Sequence, residues 1–67
     1  MDLKEIQDKL KANGHQLGRS VVNTDGKICL LVDGVFMFQP DAADLCRGYA
    51  TIDQIVTRNA GKNIPAV

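Results

Sequence analysis

Apolar and polar positions alternate along this chain with two different periods, and the change from one to the other divides it. Leu3, Ile6 and Leu10 recur three and four apart, with Lys4, Glu5, Asp8, Lys9 and Lys11 filling the other positions, which places one apolar stripe on a helix. Asp2 stands where an N-cap is needed, with Glu5 three residues on. Glu5 and Lys9 form a favourable i, i+4 pair, and Asn13-Gly14 supplies the stop. The pattern predicts an amphipathic helix over residues 2–13, its charged face solvated.

The period then shortens. Ile28 to Val32 is an unbroken apolar run, Ile-Cys-Leu-Leu-Val, with Asp25-Gly26 before it and Asp33-Gly34 after it. Asp-Gly between apolar runs is the strongest short-range hairpin signal, because both central residues of a type I′ turn need φ > 0. Three strands are expected, over residues 19–24, 27–32 and 35–38. Two-residue loops set Thr24 opposite Lys27, Val22 opposite Cys29, Val32 opposite Val35, Leu31 opposite Phe36 and Cys29 opposite Phe38. One face then carries Ser20, Val22, Thr24, Lys27, Cys29, Leu31, Phe36 and Phe38. The other carries Arg19, Val21, Asn23, Ile28, Leu30, Val32, Val35 and Met37. Both are substantially apolar, unlike the usual antiparallel sheet with one wet side, so both need a cover.

Gln39-Pro40-Asp41 ends the sheet and opens a second helix, since proline suits a first helical turn and disfavours a strand interior. Asp41 and Asp44 sit at the positive end of its dipole, and Gly48 terminates it. Thr51 and Gln54 form a capping box for a third helix with Ile52, Ile55 and Val56 on its buried side, closed by Gly61. Pro65 bars further helix, leaving residues 62–67 as a candidate frayed tail. The expected fold is α+β: one small domain over residues 1–67, in the order α-β-β-β-α-α, with a three-stranded antiparallel meander packed against helices. The helices either divide between the two faces or share one. In the second case another copy of the chain or a protein partner covers the other face. The face with Leu31, Phe36 and Phe38 is the expected main core, because its aromatics fill more volume beneath short helices. Val21, Leu30, Val32, Val35 and Met37 are then the candidate interface, because an apolar patch of that size on a small soluble protein marks an interaction site.

Charge changes the picture little: eight Lys plus Arg balance eight Asp plus Glu, which gives no net pull toward nucleic acid or membrane. The dense charge of residues 1–13 is unlike a signal peptide, and no apolar stretch approaches the ~18 residues of a membrane span. A cytoplasmic protein with no membrane contact is expected. Cys29 and Cys46 belong to no Cys-x-x-Cys or Cys/His spacing, and read as reduced thiols rather than ligands or a disulfide. His15, the single histidine, lies beside glycine in a connector with no second ligand in sequence, so no metal and no cofactor are expected. Catalysis would need a nucleophile, a base and an orienting group. No such set is visible, and the chain is expected not to be an enzyme.

The residues announce no function by motif. The expectation they favour is a non-catalytic binding or regulatory module acting by protein–protein contact and self-associating as a homodimer or larger homo-oligomer through the Val21, Leu30, Val32, Val35, Met37 face. A nucleic-acid regulator is the alternative, since helix-strand-strand-strand-helix is the order of a double-stranded-RNA-binding domain and the last two helices have the order of a helix-turn-helix. Arg47, Gln54, Arg58 and Lys62 would supply its contacts, and Tyr49 an anchor for either kind of partner. The two aspartates at the start of the second helix disfavour this alternative, because they would repel a phosphate backbone.

Overall fold

A computed structural model of the chain, describing residues 1–66, has the elements α1 (Leu3–Ala12), β1 (Leu17–Val22), β2 (Ile28–Val32), β3 (Val35–Phe38), α2 (Gln39–Arg47) and α3 (Ile52–Arg58). This is the α-β-β-β-α-α order, with an antiparallel sheet in the order β1-β2-β3. Local chemistry sets most of the boundaries. Asp2 caps α1 by accepting the Glu5 N–H at 2.9 Å. Thr51 and Gln54 cap α3 reciprocally, at 3.2 and 2.9 Å, and α3 ends at the Asn59 C-cap, short of Gly61. Val67, the last residue of the candidate tail, lies outside the described residues.

The two hairpins obey different rules. Between β2 and β3 the loop is Asp33-Gly34, with φ of 51° and 80°, and Val32 faces Val35, Leu31 faces Phe36 and Cys29 faces Phe38 as the turn type requires. Between β1 and β2 the expected two-residue loop is replaced by a longer one. Asn23 is the cause: its side-chain oxygen accepts the N–H groups of Asp25 at 3.0 Å and Lys27 at 2.9 Å. Its own N–H reaches the Lys27 carbonyl at 2.9 Å, and its carbonyl accepts from Gly26 at 3.0 Å. Three residues lie inside the Asn23–Lys27 bond that closes the loop, the last being Gly26 in the left-handed region (φ 78°), a common alternative closure. The register slips by one, pairing Val22 with Ile28, Val21 with Cys29 and Ser20 with Leu30. Since side chains alternate, the slip moves Val21 to the opposite face from the one expected. A bulge between Leu17 and Ser20 then restores Leu17 opposite Val32. Gly18 sits inside that bulge under Leu31, where a Cβ would come within 2.5 Å of the leucine Cδ2.

The expected roles of the two faces are reversed. Leu30, Val32 and Met37, three of the five residues assigned to an interface, are 0–2% exposed and form the main core with Ile6, Leu10, Ala42, Ala43, Ala50 and Ile55. Val35 packs half-buried against the same cluster. All three helices therefore contribute to one side of the sheet, each fully buried aliphatic side chain adding about 1.5–3 kcal/mol of burial. The reason is connectivity and shape. Helix α2 follows Phe38 with no loop, and the aliphatic face lets short helices approach closely. Phe36 and Cys29 are also buried, yet they lie outside the main cluster. On their face Arg19 stands 5.4 Å from the Phe36 ring centroid and Lys27 5.7 Å from that of Phe38. Cations and the chain after α3 border the aromatic side, with Val56 of α3 beside Phe36.

Candidate functional site

Strand β1 forms one edge of the sheet, and its side chains are the least covered of the three strands. Gly18, Arg19, Ser20 and Val22 are exposed, Val22 at 65%. In an antiparallel pair the residues alternate between bonding inward to the neighbour and pointing their backbone groups outward. The Asn23–Lys27 bond fixes the phase: Val21 bonds toward β2, so the N–H and C=O of Ser20 and Val22 point away from the sheet. An edge of this kind is a template for another strand. Between Ser20 and Thr24 there is no charged residue.

A second cluster joins the ends of α2 and α3. The Asp41 carboxylate is 7% exposed, and accepts from the Phe38 N–H at 3.0 Å, completing the first turn of α2. It also accepts from Arg58 Nε and Nη2 at 3.0 and 2.6 Å, and from Asn59 Nδ2 at 2.8 Å. Arg58 reaches Asp44 as well, at 2.9 Å. These two carboxylates hold the guanidinium more firmly protonated than an ordinary arginine. Two guanidinium donors converge on Asp41 Oδ1, while Oδ2 takes the Phe38 and Asn59 donors; these charge-assisted bonds tie α3 to α2, and both carboxylate oxygens of Asp41 are engaged in holding the fold. Asn59 Oδ1 is buried without a partner. Sequence reasoning placed Asp41 at a helix start and Arg58 on a surface. Nothing in their spacing announces that they meet.

The residues proposed to contact a partner or nucleic acid do not converge. Gln54 is occupied in the α3 cap, and Arg58 in the Asp41–Asp44 cluster. Arg47 and Lys62 are exposed, Arg47 in the last turn of α2 and Lys62 beyond α3. Tyr49 is 75% exposed in the connection between α2 and α3. Burial pushes both thiols up, Cys29 with a further contribution from the nearby Asp41 charge, Cys46 in spite of Lys9 and Arg47. Neither is an activated nucleophile. His15 Nδ1 lies 2.6 Å from Asp33 Oδ2, and Asp33 Oδ1 accepts the Gln16 N–H at 2.8 Å, so the pair braces the β2–β3 turn against the connector.

Among the described residues no three His, Cys, Asp or Glu side chains gather as a metal site. No helix among the described residues is long and apolar enough to cross a membrane. Comparison of the chain with family models, curated proteins and solved structures returns no match.

Proposed function

We propose that the protein is a non-catalytic binding and regulatory module that works by protein–protein contact, and that its first contact is with a second copy of itself along β1. The observation that carries this reading is the bare β1 edge, with Val22 at 65% exposure. A two-fold axis beside Val21 would set Ser20 of each copy opposite Val22 of the other. The outward N–H and C=O groups of both residues then pair across the axis, and two three-stranded sheets become one of six. Arg19 would face Asn23, so no like charges meet, and the balanced net charge adds no long-range repulsion. This replaces the aliphatic face as the surface for self-association, since that face is occupied by the protein's own helices.

Sedimentation equilibrium on the wild type and on Val22→Lys tests the reading. The wild type is expected as a dimer. A lysine at an edge position blocks strand addition, and each substitution counts twice in a two-fold interface. At about 1 kcal/mol per site the dissociation constant rises more than tenfold, while the circular dichroism spectrum stays native. A wild type that remains monomeric up to millimolar concentration removes the proposal, and so does a V22K dimer of undiminished strength.

A further inference from the structure

After α3 the chain runs on to the side of the sheet that carries Phe36 and Phe38. The Lys62 N–H returns to the Asn59 carbonyl at 3.0 Å around Gly61, and the Ile64 N–H to the Lys62 carbonyl at 2.9 Å. Among the described residues, the hydrogen bonds beyond this turn to the rest of the protein pass through Asn63. Its carbonyl accepts from Asn23 Nδ2 at 2.8 Å, and its Nδ2 donates to Thr24 Oγ1 at 2.5 Å and Asp25 Oδ2 at 3.2 Å. Ile64 and Pro65 are half-buried and share a hollow of about 400 Å³ with Phe36 and Val56. Lys62 and Asn63, with Lys27 and Phe38, line a second hollow of about 780 Å³. The two hollows open on either side of one strap.

Phe36 and Phe38 line these hollows with the strap, Cys29 shares their face of the sheet opposite Phe38, and Arg19 and Lys27 stand over the two rings. Without the strap, Cys29, Phe36 and Phe38 would form an apolar, aromatic surface of the sort that marks an interaction site. The strap's tie is polar and exposed, so water competes for each bond and the net hold is small. Local opening is then far less costly than unfolding the helix-covered core. The strap also identifies what its seat accepts. Ile64 precedes proline and is biased to extended backbone, and a proline-containing extended segment laid on aromatic rings is a recurrent mode of peptide recognition.

We propose that residues 61–65 act as a resident ligand of their own sheet, and that the seat takes an extended partner segment of the same chemistry: a side-chain amide, then a branched aliphatic residue, then proline. Displacing the strap opens the site. This surface adjoins the β1 edge through Arg19, Asn23 and Thr24, and its readout, the labelling of Cys29, is distinct from the solution mass that tests dimerisation.

The chain's two thiols provide the experiment. Cys29 is on the strap side of the sheet, fully buried, and Cys46 is on α2 with its Sγ 3.6 Å from the Ile6 carbonyl. Labelling of the full-length protein with a thiol reagent is followed at both sites in the wild type, Asn63→Ala and Ile64→Asp. Loss of the Asn63 side-chain bonds to Thr24 and Asp25, the bond from Asn23 to the Asn63 carbonyl remaining, is expected to raise the Cys29 rate by roughly tenfold, the effect of about one net hydrogen bond, and to leave the Cys46 rate unchanged. The peptide Gly-Lys-Asn-Ile-Pro-Ala, residues 61–66, added to Asn63→Ala at about 5 mM to match a tethered segment's effective concentration, is expected to slow Cys29 again. A scrambled peptide is not. An unchanged Cys29 rate in both variants overturns the proposal. So do Cys29 and Cys46 rates rising together, which marks global destabilisation, and a peptide that restores no protection.

Discussion

One face of the sheet is sealed by three helices and the other by two cations and a strap of a few residues, although both faces carry comparable runs of apolar side chains. On the helix side Leu30, Val32 and Met37 are at most 2% exposed and touch residues from α1, α2 and α3. On the strap side burial is uneven: Phe36 and Cys29 are covered, while Leu31, Phe38, Ile64 and Pro65 are half-buried. Apolar content alone therefore does not rank the two faces. What ranks them is which side the connections deliver helices to, and how closely those helices pack.

The comparison breaks most sharply at Leu30. Leu30→Ala removes a side chain from a helix-covered site that cannot refill the space, and should cost about 2–5 kcal/mol, read as a lower denaturation midpoint at constant slope. Leu30→Asp should prevent folding, since it buries an unpaired charge. A folded, stable Leu30→Asp protein would return that face to the surface. Asp41→Ala comes next. It leaves the Phe38 N–H and the buried Asn59 amide without their acceptor, and should cost about 1–2 kcal/mol by thermal or chemical denaturation. Asn63→Ala on the other face should cost no more than about 1 kcal/mol in global stability, even while it opens the strap locally. A loss as large as that of Leu30→Ala would show that the strap side belongs to the same cooperative core.

The smallest expected effect lies at the β2–β3 turn. The hydrogen bond from His15, followed by that from the Gln16 N–H, holds the Asp33 carboxyl below the usual carboxylate range. A folded-state pKa lowered in this way contributes stability that is fully present above the unfolded value of about 4 and is lost as pH falls through the folded value. Asp33→Asn keeps a residue tolerant of positive φ at this turn. It should flatten the pH dependence of the melting temperature below about pH 4 while leaving the helix-side core intact. Identical acid profiles for the two proteins would show that the carboxylate's interactions are matched in the unfolded chain.

Legibility in the sequence follows the range of the interaction. Asp2, Thr51 and Gln54 act within one helical turn, and their caps are where local chemistry puts them. Asp33-Gly34 fixes its hairpin because the turn type alone sets that register. Asp25-Gly26 has the same two letters and a different outcome, since Asn23 two residues upstream offers the backbone an alternative set of hydrogen bonds. That competition is local, and an Asx residue ahead of an Asp-Gly pair was its available signal. The Asp41–Arg58 cluster and the Asn63 tie join residues 17 and 38–40 positions apart. Charge and amide content permit such contacts in many combinations, and no spacing rule selects among them.

The element order, the cap chemistry, the second hairpin and the presence of two apolar faces were set by the sequence alone, because each depends on neighbours within a few residues or on a period repeated along the chain. Tertiary structure decided which face became the core, which side Val21 joined, and what became of Arg58 and residues 61–65. Those outcomes depend on where short helices can reach once the strands are paired, and on a one-residue slip that inverts every side chain of a strand. Packing chose between two faces whose apolar content was too similar to distinguish them, and left an open edge on β1 and a strapped aromatic face, the two surfaces proposed to meet partners.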